Sequence, residues 1–344
     1  MHRPSSKLCL PLLMLTAVGA CKRAAPKDQP AATPHVDAVA LHDAETTAAA
    51  AGPLGVSADP PALDAKHPAI LAFDETSPLR IAQPIGHTST VYLVVDKSER
   101  RFVFKPDTKH GKGRFRGELG AYQLAEALGV SARLPRVFPV SFTRSSLRAI
   151  VAGKAARQNL DEDVVDTHGL VLGAGIEWVD ELKFPKLHHG AVRVEWESWL
   201  EGKRWPESPQ RRQFAGALSD MVLFDYITGN FDRFSGGNIG QVGGDDAPVL
   251  YIDNDGGLMW PEASKAIEKQ RALMLRTVKF NHGMISVVRQ AAKDSTFMQR
   301  VLAMPAPIEP FPAGLLKNAQ KRLQEVADHA REKCDGDGDP CVVF

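Results

Sequence analysis

Apolar positions along the chain change period several times, and each change marks a different element. Between Leu79 and Lys105 they form short β-branched or aromatic runs, "LRIAQPI", "TVYLVVD" and "RFVFK", separated by the turn-like "GHTS" and "KSER". Such runs predict a small antiparallel meander whose third strand ends on Lys105, before Pro106. The spacing then turns helical in "GRFRGELGAYQLAEALG", where Phe115, Leu119, Tyr122, Ala125 and Leu128 share one broad stripe and Gly129 supplies the stop. "RRQFAGALSDMVLFDYITGN" is apolar almost all round, which predicts a buried helix stopped by Gly229-Asn230. Beyond it, "NIGQV" and "VLYI" read as two short strands joined by the turn "GGDDAP". The last helix, "GLLKNAQKRLQEVADHAREK", carries a plain amphipathic stripe from Leu316 through Leu323 and Val326 to Ala330, which predicts packing only.

The N-terminus breaks this pattern. "MHRPSSK" is short and basic, "LCLPLLMLTAVGA" is an apolar run too short to span a bilayer, and it ends in small residues. That is the layout of an export signal. "TAVGAC" further resembles a bacterial lipobox, in which Cys21 becomes the lipid-modified first residue; the alternative is a plain secretory signal. Several acyl chains would anchor the protein stably, and Lys22 after the cysteine would favour the outer membrane in an enteric-type cell. Residues 21–75 are Ala- and Pro-rich and nearly free of aromatics, which predicts a disordered tether between membrane and folded body. Once Cys9 leaves with the signal and Cys21 carries lipid, Cys334 and Cys341 remain, in "CDGDGDPC", and a disulfide is the default for an exported chain. Asp335, Asp337 and Asp339 alternate like half a calcium loop, but the bidentate Glu near its end is missing.

Composition adds mainly exclusions. The 344 residues are 44% hydrophobic and 24% charged, an ordinary globular balance with room for two packed lobes. Lys and Arg number 42 against 41 for Asp and Glu, and no basic stripe stands out, so nucleic acid is not expected as a partner.

The chemistry lies where the pattern is violated. Glu118 falls on the apolar stripe of its helix, and a carboxylate facing a core is costly without a cation. Lys105, on the sheet that helix should cover, is the nearest candidate. A strand Lys and a helix Glu paired beneath a glycine-containing turn form the phosphate-positioning device of protein kinases. The turn here offers Gly86 with Thr88, Ser89 and Thr90. In "LFDYITGNFDRFSGGNIG", Asp232 and Asn238 lie just before the hairpin, and Asp253 of "YIDNDGG" follows its last residue. All three should therefore meet at one mouth, a divalent-metal and nucleophile-orienting site.

"FDYITGNFDR", "YIDNDGG" and the upstream "FKPD…GELGAYQLAEALG" together resemble the secretory-pathway kinases typified by four-jointed and the Golgi casein kinase, from about Leu79 to Arg300. The resemblance implies that Lys105 holds the ATP phosphates and Glu118 pairs with it. It makes Asp232 the catalytic base, Asp253 a ligand of Mg²⁺ or Mn²⁺, and Asn238 the best match to the metal-binding Asn of the catalytic loop. Asn238 stands six residues after Asp232, where the common kinase pattern has about five. No His precedes the Asp-Arg pair.

The expected architecture is α+β, a bilobal protein-kinase-like fold. Residues 1–20 are a lipoprotein signal, 21–75 the tether, 76–178 an N-lobe with a small antiparallel sheet and one helix, 179–330 a mainly helical C-lobe, and 331–344 a disulfide tail. "GAGIEWVDEL", with Glu177, would be the hinge strand whose backbone holds adenine. The expected activity is transfer of the ATP γ-phosphoryl group to a hydroxyl of a protein or glycan acceptor, by a membrane-anchored exported enzyme. The rival readings are a catalytically silent kinase-like binding module and another nucleotide-dependent transferase, since fold does not fix chemistry. Other conspicuous residues have plainer readings. Trp196, Trp199 and Trp205 suit packing better than a substrate platform. His188 and His189 sit in a loop without an evident metal set, and Asp225 on the buried helix would brace the catalytic loop. No oligomeric state follows from the sequence.

Overall fold

The computed structural model describes residues 69–85, 90–235, 237–259, 265–335, 341 and 344, all within the compact unit Ser57–Phe344. The expected signal, Cys21 and nearly all of the tether therefore lie outside the described residues. So do Gly86, Thr88 and Ser89 of the expected phosphate turn, and Asp337 and Asp339 of the tail.

The N-terminal part is a six-stranded sheet of order β1-β5-β6-β4-β3-β2. Its strands are β1 (Leu71–Phe73), β2 (Leu79–Pro84), β3 (Tyr92–Asp96), β4 (Arg101–Pro106), β5 (Val137–Thr143) and β6 (Leu170–Glu177). Neighbours run antiparallel except β1, which pairs parallel with β5. The sheet thus begins inside the range expected as tether, because "LAF" adds an edge strand that lies just before the first recognisable alternation. Alternation along β4 decides where the chemistry points. Phe102 and Phe104 enter one buried face with Tyr92, Val94, Val140 and Phe142, so Lys105 must project from the opposite face. That face is covered by α1 (Arg114–Ala127) through Phe115 and Leu119.

The expectation of one N-lobe helix is too low. α2 (Arg144–Ile150) and α3 (Lys154–Asp163) cover the other sheet face through Leu147, Ala156 and Leu160. Their sequences, "RSSLRAI" and "KAARQNLDED", each offer so few apolar positions that no helical stripe stands out. α2 is instead started by its cap, Thr143, whose side chain accepts the Ser146 N–H. The stripe on α1 also divides. Phe115 and Leu119 pack on the sheet, while Ala121, Leu124, Ala125 and Leu128 enter the larger core of the C-lobe. This helix is therefore buried on two sides and couples the lobes.

The C-lobe is built around α5 (Pro209–Thr228), where every side chain from Phe214 to Thr228 is buried. Ser208 caps its start by accepting the Arg211 N–H, and Gly229 ends it in the left-handed region at φ 70°. α4 (Gly190–Leu200), α6 (Lys265–Arg276) and α9 (Ala313–Asp335) pack on it, and α7 (His282–Ala291) and α8 (Phe297–Val301) pack on α9. Trp196 and Trp199 belong to this core, as their plain reading expects, whereas Trp205 is exposed and stacks on Phe344. A two-stranded ribbon, β7 (Ile239–Gln241) with β8 (Val249–Tyr251), returns the chain toward the end of α5. Cys334, near the end of α9, is disulfide-bonded to Cys341, whose carbonyl accepts the Phe280 N–H at 2.8 Å. Among the described residues no helix is long and apolar enough to cross a membrane.

Candidate active site

Lys105 leaves the sheet beneath α1, and its ammonium meets the Glu118 carboxylate at 2.6 Å. Glu118 is only 1% exposed, so the core carboxylate does find its cation. A helix can bring Glu118 this close to the acidic turn only if its own backbone approaches that turn. Gly117 allows this: a Cβ there would lie 2.7 Å from the Gly257 carbonyl oxygen and 2.9 Å from that of Asp255.

The acidic turn follows β8. Asp253 stands in the left-handed region, φ 54°, and opens a short 3₁₀ turn, Asn254–Gly256. A non-glycine residue held there is uncommon. Its effect is to aim the Asp253 carboxylate at Lys105, 2.5 Å away, while Asp255 lies 3.5 Å from the same ammonium and 2.5 Å from the Arg114 guanidinium. Oxygens of Glu118, Asp253 and Asp255 all lie within 4.8 Å of one another. Hard carboxylate oxygens gathered in this way are the donor type that Mg²⁺ and Mn²⁺ take. Burial works against the Lys105 ammonium, but the three carboxylates outweigh it and hold its pKa well above the usual lysine range. Burial raises the pKa of Glu118 despite Lys105; for Asp253 burial pushes upward too, but Lys105 overcomes it and the net shift is down.

The other wall is the loop after α5. Arg233, 1% exposed, grips Asp225 through two nitrogens and also donates to the carbonyls of Asn238 and Ile252 and to Asn254 Oδ1. One guanidinium thereby joins the buried helix, the loop and the acidic turn, with Asp225 bracing the loop. Asp232 projects beside it. Its N–H donates to Asn230 Oδ1 at 3.2 Å, and its carbonyl accepts from Asn238 Nδ2 at 2.9 Å. Asn238 thus spends its amide nitrogen shaping the loop. The loop and the acidic turn touch at Gly256, where a Cβ would lie 3.3 Å from Asp232 Cβ. The structure therefore brings together Lys105, Glu118 and Asp253, with Asp232 and Asn238 on the adjoining loop.

Glu177 ends β6 with an exposed side chain, and its N–H donates to the Arg136 carbonyl at 2.8 Å. That donor is spent on the sheet. Thr90 turns away to Asp163 Oδ2, 3.1 Å off. His188 and His189 lie ring to ring on the surface, outside the acidic cluster. Sequence reasoning missed Asp255, Arg114 and Gly117. The signal for Asp255 was adjacent, as the second aspartate of "DND". The signal for Gly117 was a helix-interior glycine, a costly choice that points to a close contact.

No family model matches the chain, and no curated protein matches it in sequence. Solved structures do match. The structure of hydra Fam20 with sugar superposes with a TM-score of 0.60 at 16% identity, covering 78% of this chain and 89% of that one. The Golgi casein kinase with Mn/ADP bound gives 0.56 at 14% identity, covering 77% and 75%. A further structure of the Golgi casein kinase gives 0.56 at 15%, covering 78% and 77%. At these identities the likeness is one of fold, and the fold is bilobal and protein-kinase-like.

Proposed function

We propose that the protein is an exported, membrane-anchored kinase that transfers the ATP γ-phosphoryl group to a hydroxyl of a protein or glycan acceptor. The observation that carries this reading is the clasp on Lys105, held by Glu118 at 2.6 Å and Asp253 at 2.5 Å across the junction of sheet, α1 and acidic turn. A buried lysine kept charged among carboxylates is suited to anionic phosphate oxygens. One solved structure of similar fold is that of the Golgi casein kinase with Mn/ADP bound.

In this reading Glu118 keeps Lys105 extended toward the phosphates. Asp253, assisted by Glu118, would hold Mg²⁺ or Mn²⁺, which when bound neutralises charge on the phosphates. Asp232, on a loop fixed by Arg233 and Asn238, would orient the acceptor hydroxyl and take its proton as its oxygen bonds to the γ-phosphorus and the bond from that phosphorus to the β–γ bridging oxygen breaks, releasing ADP. Asn238 acts first as a support of that loop, whatever part it takes at the metal. Adenine would lie against the segment after β6, where the donor must come from beyond Glu177.

The test is mass spectrometry of candidate protein and glycan acceptors after incubation with ATP and Mn²⁺. Added phosphate supports the proposal. Added nucleotide would assign a different transferase chemistry, and tight nucleotide binding without product would make the protein a binding module.

A further inference from the structure

Arg114 occupies an unexpected position. It is the first residue of α1, whose first turn contains no acidic residue, and a cation at a helix N-terminus opposes the helix dipole. Its side chain is 42% exposed, yet its guanidinium is directed to the nearly buried Asp255, 2.5 Å away. Asp255 divides its oxygens, Oδ1 facing Arg114 and Oδ2 lying 3.5 Å from Lys105. Around Lys105 there are then three carboxylates and two cations, leaving one net negative charge.

We propose that Arg114 is a positioning residue that, through Asp255, sets the charge of the candidate active site so that a divalent ion enters with nucleotide rather than alone. The inference rests on the kinase reading of the site and adds its regulation. With Arg114 in place, the clasped lysine and a single uncompensated charge give a free metal ion little to bind. Incoming phosphates supply both a partner for Lys105 and the missing negative charge. Without Arg114 the cluster carries two uncompensated charges. It would then attract a bare cation and repel an anionic nucleotide.

These opposite signs distinguish an electrostatic role from mere support of the turn. The measurement is calorimetric binding of Mn²⁺ alone, and of ADP at saturating Mn²⁺, to wild type, Arg114→Ala, Arg114→Lys and Asp255→Asn. One removed charge at partly screened range is worth about a factor of ten. Arg114→Ala is therefore expected to bind Mn²⁺ alone about tenfold more tightly and ADP about tenfold more weakly, both shifts shrinking at high salt. Arg114→Lys should stay near wild type, and Asp255→Asn, which removes a carboxylate of the cluster along with the partner of Arg114, should weaken the binding of Mn²⁺ alone. If Arg114→Ala weakens both ligands, or moves neither, the proposal is overturned while the kinase reading stands. If wild type binds neither Mn²⁺ nor ADP, the kinase reading itself falls and takes this inference with it.

Discussion

Asp220 shows how one buried carboxylate can govern the pH response of the molecule. It lies inside α5, accepts from Asn281 Nδ2 at 2.8 Å, and leaves Oδ1 without a protein partner among the described residues. Burial raises its pKa to about 7, with Asn281 and the charge of Arg133 only partly opposing. The folded state therefore binds a proton that the unfolded chain has released by about pH 4. Stability from this group is fully present below the unfolded pKa, falls between about pH 4 and pH 7, and is level above that. The loss amounts to roughly 3–5 kcal/mol. Urea denaturation of wild type and Asp220→Asn across pH 4–8.5 should show the variant gaining on wild type over that window; parallel curves would refute the assignment. Asp220 shows as well what single-residue reasoning leaves invisible. It sits in the same apolar run as Asp225, which was read as the brace of the loop, but nothing local marks Asp220. Asp225 is met by Arg233 and Asp220 by an amide, a difference created only by the fold. Lys105 and Glu118, in contrast, were legible because a carboxylate on an apolar stripe demands a cation.

Between elements, the decisive contact is that of α1 with the acidic turn. Glycine at a helix interior weakens it by about 0.5–1 kcal/mol relative to alanine, so Gly117→Ala in an open helix would stabilise. Here the new Cβ would meet backbone oxygens at 2.7 and 2.9 Å, atoms that cannot swing aside as a side chain can. The expected result is a net loss of about 1–3 kcal/mol, typical of overpacking, together with weaker nucleotide binding as Glu118 is pushed off Lys105. A stabilised Gly117→Ala with unchanged ADP affinity would show that the approach is looser than described. The strands β2 to β4, the β7–β8 ribbon and the helices α1, α5 and α9 were readable from period; β5, α4, α6 and α7 were not read at all. α2 and α3 were not readable, because their helicity comes from docking on the sheet rather than from their own apolar stripe. β1 was hidden for a related reason: three residues carry no alternation, and their strand exists only because β5 offers an edge.

At the scale of the whole molecule, the candidate site depends on pieces from both lobes, and the proposed membrane location rests on the N-terminal sequence alone. The lipobox reading predicts that Cys21→Ser leaves the precursor unprocessed or releases the protein from membranes; fractionation and intact-mass measurement check this, and an unchanged pattern counts against lipidation. The sharper question is whether the assembled site turns over. Asp253 is fixed to Lys105 and belongs to the three-carboxylate cluster, whereas Asp232 stands on the adjoining loop outside it. Their isosteric amides should therefore fail in different ways. Asp253→Asn removes charge from the metal cluster and from Lys105, so metal-dependent nucleotide binding should weaken along with turnover. Asp232→Asn leaves the clasp and the Arg233 supports in place, because the loop holds Asp232 by its backbone. Nucleotide and metal affinity should then stay close to wild type while phosphotransfer drops by roughly 10²–10⁴-fold, the range for losing a positioned general base. Calorimetry and initial rates on the same preparations, with urea midpoints to confirm folding, give both readouts. If wild type turns over and Asp232→Asn keeps its full rate, the proton is taken elsewhere and the assignment of Asp232 is wrong. If both amides lose nucleotide binding equally, the two carboxylates act as one metal site, and the base must be sought among other groups that reach the cleft.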